Sequence, residues 1–263
     1  MALADRGVAV RFLNTRALGR IRRVDILGQI DEQTRLVAIA SCHFVSGFRV
    51  ELDAIGRELA ARNILFCVDG IQTLGAFPTT VENLDFLAAD AHKWLLGPCA
   101  AGILYVRESR LDTLHPVVFG WNNVRCPNYV AQEKLTFRTD AQRYEAGSHN
   151  SLGLAGLAAA LELLLEIGID AISQELLRKR TWLVPALQAK GWTVLNADAP
   201  AAHASGIITL HRPDADLPAL HQRLTDAHIV TSLRADRTGQ RYLRLSPHFY
   251  NTDNELHPTL ELL

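Results

Sequence analysis

Two short segments of this chain hold residue types that could do covalent chemistry. The first, Val-Asp-Gly-Ile-Gln, contains Asp69 and Gln72, and the second, Asp-Ala-His-Lys-Trp, contains Lys93. Each has an ordinary explanation alone, because Asp-Gly is a common turn pair and most lysines lie on the surface. Together they offer an amine for a Schiff base, a carboxylate for a pyridine nitrogen and a donor for a phenolic oxygen. Pyridoxal 5'-phosphate (PLP) requires these three functions from a protein.

The elements around these segments predict an α/β domain with a mostly parallel sheet. Apolar runs predict strands near 36–40, 64–68, 86–89 and 102–106, and an amphipathic pattern predicts a helix over 50–62. Ligands of such sheets bind beyond the carboxyl ends of the strands, where Asp69 and the segment before Lys93 fall. A desolvated pocket there would favour the deprotonated amine that Lys93 needs.

The second half predicts a smaller α+β domain. Residues 111–142 are polar and irregular and predict a long functional excursion. Residues 151–167 predict a helix that is apolar nearly all round, and therefore buried. Further helices are predicted near 172–190 and 216–227, and strands near 192–196, 206–210, 229–233 and 241–246. The expected domains are 1–150, a partial large α/β domain, and 151–263, a small α+β domain.

The stretch from Leu36 to Val106 resembles the central block of class V aminotransferase-fold enzymes, through SGFR, VDGIQTLGAFP, LAADAHKWLLGP and GILYVR. This family includes cysteine desulfurases, selenocysteine lyases, kynureninases and isopenicillin N epimerase-like proteins. The resemblance implies the PLP-dependent transferase fold (fold type I) and PLP as cofactor. Lys93 would then be the Schiff-base lysine, with Asp69 at the pyridine nitrogen, Gln72 at the phenolic oxygen and His92 beside the phosphate.

Two later segments extend the resemblance. Tyr144–Asn150 is similar to the family's E-x-G-T-x-N stretch, which implies that the Ser148 hydroxyl reaches the phosphate of a partner subunit's cofactor. The alternative is a helix N-cap by Ser148 or Ser151. The segment around Arg244 resembles the closing R-x-S motif, which implies that this guanidinium grips the substrate's α-carboxylate. The alternative is a strand arginine in a surface ion pair.

The chain also departs from the family pattern. Ala2–Leu13 resembles elements well inside the usual large domain, so a segment on the order of a hundred residues, with the phosphate-cradling loop, has no counterpart. Asp90 stands where many relatives carry a phosphate-binding serine, and a carboxylate there would repel a phosphate. Residues 229–263 contain no cysteine, and Cys126 lies far from the place of a catalytic thiol. Desulfuration by the usual thiolate route is therefore not expected.

Composition narrows the function further. The formal net charge is −1 without a run of basic residues, which argues against nucleic acid or an anionic membrane as partner. No window approaches eighteen apolar residues, and no signal peptide opens the chain. The four cysteines, at 42, 67, 99 and 126, show no metal-binding spacing and suit reduced cytoplasmic thiols.

The leading hypothesis is a cytoplasmic, homodimeric PLP enzyme that acts on a small-molecule α-amino acid through Lys93. Gly120-Trp121, ADAHKWLLGP and RLSPHFYNT make it most similar to isopenicillin N epimerase-like or lyase members. The alternatives are a class V aminotransferase, or a truncated, non-catalytic remnant that serves as a dimerisation or interaction module.

Overall fold

The computed structural model describes residues 4–125, 130 and 133–263, so Ala2 and Cys126 lie outside the described residues. The helices are α1 (Arg23–Leu27), α2 (Leu52–Ala61), α3 (Ser151–Ile167), α4 (Ile169–Ala189), α5 (Leu217–Asp226) and α6 (Asp253–Leu262). The strands are β1 (Leu36–Ala40), β2 (Leu65–Asp69), β3 (Phe86–Asp90), β4 (Gly102–Val106), β5 (Thr193–Val194), β6 (Ile208–His211), β7 (Ser232–Ala235) and β8 (Arg241–Leu245).

The chain divides into two compact units. The lysine unit, which contains Lys93, comprises Arg35–Ser41 and Leu52–Leu176. The arginine unit, which contains Arg244, comprises the residues up to Thr34, Cys42–Glu51 and Leu177–Leu263. These units run differently from the predicted domains 1–150 and 151–263, because the chain crosses between them more than once. The domain assignment therefore stays a prediction.

The lysine unit is built on a four-stranded sheet in the order β1-β2-β3-β4. The first three strands are parallel, and β4 returns antiparallel to β3, as a short connection requires. The predicted mostly parallel α/β arrangement is confirmed. One sheet face buries Phe66, Val68 and Leu87, whereas on the other face Leu36 and Leu104 are 50% and 47% exposed. Asp69 and Lys93 follow strands of this half-open sheet.

The arginine unit is an α+β arrangement around an antiparallel sheet in the order β5-β6-β8-β7. One face carries alternate apolar side chains such as Ile208, Leu210 and Leu243, which pack with residues of α4 and α5 into a buried cluster. Strand pairing and apolar alternation therefore agree in this unit.

Two expectations about helices need correction. The predicted burial of α3 is wrong, since Leu152 and Leu165 are 86% and 72% exposed and its buried residues include only a few, such as Leu157 and Leu164. A helix that is apolar on every side cannot bury every side against one sheet. The sequence analysis did not predict α6, whose apolar periodicity is weak, although Thr252 and Glu255 form a capping box at its start.

Among the described residues, no single helix is long and apolar enough to cross a membrane. Helices α3 and α4 are long and apolar enough only when they are taken together, and they are bent by 77° at their junction.

A buried carboxylate ties the lysine-unit strands to the segment after β4. Asp85 Oδ2 accepts a hydrogen bond from the Phe66 backbone N–H at 2.8 Å, and its Oδ1 accepts from Arg110 Nε at 2.7 Å. The Asp85 backbone carbonyl also accepts from the Arg107 N–H at 2.9 Å. One residue therefore fixes the entrance of β2, the entrance of β3 and the exit of β4.

We predict that Asp85→Ala lowers the free energy of unfolding by about 1–3 kcal/mol, because the buried Phe66 N–H loses its acceptor. Urea unfolding followed by circular dichroism measures this change. Asp112→Ala is the matched control, since Asp112 is fully exposed and its surface ion pair with Arg143 contributes about 0–1 kcal/mol. Equal effects of the two substitutions would contradict the role assigned to Asp85.

Candidate active site

Lys93 lies in the connection between β3 and β4, residues 91–101, where the chain turns back on itself. We call this connection the lysine loop. The Leu96 N–H donates to the Lys93 carbonyl at 3.1 Å, and the Gly97 N–H donates to the Ala91 carbonyl at 2.9 Å. Trp94, next to Lys93, is buried, whereas Lys93 is exposed. The loop thus presents the lysine at its surface, and the desolvated surroundings expected from the sequence are not present around Lys93 in this unit.

The turn after β2 holds the lysine loop in place. The buried Gln72 Oε1 accepts a hydrogen bond from Trp94 Nε1 at 3.0 Å. Gly75 has φ +89°, and a Cβ there would lie 2.4 Å from the Trp94 carbonyl oxygen, so only glycine permits this approach. A contact of Gln72 with a phenolic oxygen would therefore use its amide nitrogen. The sequence analysis placed Gln72 at the site but missed its bond to Trp94.

Asp69 ends β2 and lies opposite Ala88 of β3 in the sheet register. Its carboxylate is exposed, and Oδ1 accepts from the Ile71 N–H at 3.0 Å. Asp90 ends β3 on the same sheet face as Asp69, because Ala88 and Asp90 are alternate residues of one strand. The structure thus brings the two predicted segments to one end of the sheet.

Both carboxylates line a cleft of about 600 Å³ in the lysine unit. The floor is made of small residues, including Ala88, Ala101 and Gly102, and a Cβ on Gly102 would lie 2.7 Å from the Ala89 carbonyl oxygen. A flat pyridine ring fits such a floor, with a carboxylate at its edge. None of the described lining residues carries a positive charge. The cleft therefore has room for the ring end of PLP beside Asp69, whereas Lys93, Gln72 and His92 are not among its described lining residues, and the phosphate requires donors from elsewhere.

His92 and Asp90 form a polar pair beside the lysine. His92 Nδ1 lies 2.9 Å from Asp90 Oδ1, and this hydrogen bond keeps the pKa of Asp90 below its usual value. Asp90 is thus a carboxylate that orients the His92 ring. The predicted position of His92 beside a phosphate stays a prediction.

Ser148 lies exposed in the loop before α3. The helix N-cap is Asn150, whose Oδ1 accepts from the Gly153 N–H at 3.0 Å. The alternative explanation, a cap by Ser148 or Ser151, is therefore wrong. The role of Ser148 at a partner subunit's phosphate stays a prediction.

Arg244 lies on β8 of the arginine unit and is half-buried. It donates from one terminal nitrogen to the Phe44 carbonyl at 2.7 Å and from the other to Ser232 Oγ at 3.3 Å. Burial, followed by the positive charge of Arg234, lowers the pKa of Arg244. No carboxylate among the described residues pairs with it, so the surface ion pair considered as an alternative is wrong. Arg234 was not predicted from the sequence. It lies on β7, which pairs with β8.

Two of the described cysteines, Cys42 and Cys67, are poorly suited to thiolate chemistry. Burial raises the pKa of the Cys42 thiol to about 11. Burial, with the charge of Asp69, also raises the pKa of Cys67. A thiolate is the attacking form of cysteine, and both groups are protonated near neutral pH. Cys99 is exposed.

Comparison with known proteins gives a family. A model described as "Aminotransferase class-V" matches residues 1–257. A cysteine desulfurase of Yersinia pseudotuberculosis is 32% identical over 176 residues, which make up 66% of this chain and 43% of the relative. The match thus spans less than half the length of that relative.

Solved structures agree on the fold. The apo structure of a cysteine desulfurase from Thermococcus onnurineus NA1 has a TM-score of 0.86 at 24% identity, over 99% of this chain and 67% of that one. The cystine C–S lyase C-DES, in complex with cysteine persulfide, has a TM-score of 0.86 at 25% identity, over 99% and 69%. A C-DES variant carries glycine covalently linked to its PLP cofactor (TM-score 0.79, 22% identity, 91% and 62%).

These relatives are desulfurases and a lyase, so they do not bear on the predicted likeness to isopenicillin N epimerase. The chain has the α/β PLP-dependent transferase fold (fold type I) and belongs to the class V aminotransferase family, whose enzymes use PLP.

Proposed function

We propose that this chain binds PLP at the Asp69 cleft and takes part in the breakdown of an α-amino acid by elimination of a sulfur substituent from Cβ. The observation that carries the proposal is the hydrogen bond from Trp94 Nε1 to Gln72 Oε1, which holds the loop that presents Lys93 against the turn that follows Asp69. Because the matched region spans less than half of the curated relative, activity, substrate and partners are all part of the proposal.

Each residue has a defined task in this proposal. Bound PLP supplies an electron sink for bonds at the substrate's Cα. The Asp69 carboxylate holds the proton on the pyridine nitrogen, and the Gln72 amide nitrogen donates to the phenolic oxygen. Lys93 anchors the cofactor and takes the proton from Cα as general base. Arg244 binds the substrate's α-carboxylate through parallel hydrogen bonds.

Elimination is favoured over desulfuration by the cysteines. Desulfuration needs a thiolate to accept the substrate's sulfur, and the pKa values of Cys42 and Cys67 are raised by burial. The turn between β7 and β8, residues 236–240, contains no cysteine. The relative C-DES is itself a cystine C–S lyase. Elimination requires only the Cα base and a leaving group, both of which the proposed site accommodates.

Two further reactions start with the same proton removal. Epimerisation of the isopenicillin N epimerase type would return a proton to the opposite face of Cα, and transamination would yield a 2-oxo acid from the amino acid. Their products differ from those of elimination, so product analysis separates the three. We propose a cytoplasmic homodimer for the active form, in which Ser148 reaches the phosphate in the partner subunit's site.

A non-catalytic module is the second candidate function. The half-exposed Leu36 and Leu104 on the open sheet face, and the absence of a cation among the described lining of the cleft, favour it. Such a module would keep the fold for dimerisation or interaction without holding a cofactor. Cofactor binding decides between the two candidates.

We predict that PLP added to the purified chain is fixed by borohydride to Lys93. The chain has four lysines, at positions 93, 134, 179 and 190, so peptide mass mapping of the reduced product assigns the site. PLP bound to Lys93 should also give a violet absorption band. Lys93→Ala should lose both this band and the borohydride-fixed label. Lys134→Ala, which removes an exposed lysine, should keep both.

Absence of the band and label from folded protein would favour the non-catalytic module. Labelling of Lys134 or Lys190 at the level of Lys93 would show surface reaction instead of a site.

We predict that the PLP-loaded chain converts L-cystine, and more slowly L-cysteine, to pyruvate and ammonia, with the sulfur released as cysteine persulfide from cystine and as sulfide from cysteine. Chromatography of the products, with lactate dehydrogenase coupling for pyruvate, measures this. Cys99→Ala should leave the rate unchanged, because elimination uses no protein thiol. Alanine as the main product, lost in Cys99→Ala, would mean that desulfuration is the reaction after all.

A further inference from the structure

Arg234 of β7 and Arg244 of β8 lie on the same face of the arginine-unit sheet. Ser232 is paired with Arg244 and Arg234 with Tyr242, so the two arginines are diagonal neighbours across the strand pair. They are close enough for the charge of Arg234 to lower the pKa of Arg244, after the larger effect of burial. Two half-buried guanidinium groups therefore repel each other at one place on the sheet.

The positive charge of this pair is not balanced by carboxylates. The Nε atom of each arginine is buried and has no hydrogen-bond partner. Arg244 otherwise meets only the neutral Phe44 carbonyl and Ser232 hydroxyl, and within the described part of the chain neither arginine has an ion-pair partner. Like charges held together out of water are unfavourable unless an anion joins them.

Other arginines of the same unit show the contrast. Arg178 binds Asp253 at 2.7 Å, and Arg20 binds Asp198 at 3.0 Å, both at the surface where water already screens the charge. The half-buried pair would be stabilised most by a carboxylate, and no carboxylate in the described part of the chain pairs with it. This distribution indicates a site for an external anion.

Phe44 joins the two guanidinium groups. Its carbonyl accepts from Arg244, and its ring lies under Arg234, with the guanidinium carbon 6.0 Å from the ring centroid. The ring itself is about half exposed. A ligand that touches both arginines would lay the apolar part between its charges along this ring.

We infer that Arg234 binds a second anionic group on the side chain of the substrate, so that the pair selects α-amino acids with a distal carboxylate. The role of Arg244 in binding the α-carboxylate rests on the proposed function. Arg234 is then a specificity-determining residue, since it contacts the distal group and takes no part in proton transfer at Cα.

The test uses the full chain without PLP and two five-carbon probes, glutarate with two carboxylates and pentanoate with one. Proton–nitrogen NMR spectra of the arginine Nε–H groups follow the titrations. We expect glutarate to bind about tenfold more tightly than pentanoate, because it adds one charge-assisted contact. Arg234→Met should reduce glutarate affinity to that of pentanoate.

The matched control is Arg241→Met, which removes an exposed arginine from the same strand pair and should preserve the tenfold preference. If Arg234→Met does not fold by circular dichroism, Arg234→Gln replaces it, with the same expectation. Equal affinity for the two probes, or a preference that survives the loss of Arg234, would overturn the inference. Sulfate binding as tightly as glutarate would also overturn it, because it would indicate a general anion site.

Failure of this inference is separable from failure of the proposed function. The titrations involve neither PLP nor turnover, so a chain that cannot bind the cofactor can still show the glutarate preference. Labelling of Lys93 without a glutarate preference would leave the PLP enzyme intact and remove only the second anionic subsite.

Discussion

The hydrogen bond between the Gln72 amide and the Trp94 indole joins the two segments of the proposed cofactor site. It connects the turn that follows Asp69 with the loop that carries Lys93, and both partners are buried. A buried indole N–H without an acceptor is unfavourable, so the lysine loop has a strong reason to keep one position. The close packing of Gly75 against the Trp94 carbonyl allows no side chain between the two segments. The geometry of the site thus depends on polar contacts behind it more than on the reactive residues themselves.

Several cations of the arginine unit donate hydrogen bonds to backbone carbonyls. Arg180 donates to the Asn196 carbonyl at 2.6 Å, Lys179 to the Phe249 carbonyl at 2.9 Å and Arg49 to the Ala204 carbonyl at 2.5 Å. These contacts fix irregular segments. Arg234 and Arg244 differ from these cations in that each has a buried Nε atom without a hydrogen-bond partner.

Most strands were predictable because their apolar runs are short and bounded by turn residues. The bounds of β1, β4 and α3 agree with the sequence patterns. Burial of α3 was not predictable, because periodicity shows which residues are apolar and not whether a neighbour covers them. Helix α6 was not predicted either, because capping residues indicate its start and apolar spacing does not indicate a helix.

Site residues were predictable where they stand in a sequence motif, and less so where only tertiary contacts identify them. Asp69, Gln72 and Lys93 stand in motifs, and the structure brings their segments to one end of a sheet. Arg234 lies in no motif, and only strand pairing places it beside Arg244. Similarly, the exposure of Lys93 follows from the anchoring of Trp94, which spacing alone does not reveal. Pairwise contacts across many residues are the information that a single sequence lacks.

The antiparallel return of β4 has a consequence for the order of folding. β3, the lysine loop and β4 form one continuous hairpin, and the Gln72 contact with Trp94 spans 22 positions, so the contacts that present Lys93 close short loops at a small cost in entropy. The contact between Arg244 and Phe44 joins residues 200 positions apart, and such long-range contacts form slowly. As the chain emerges during synthesis, the lysine loop can therefore close before the arginine pair exists.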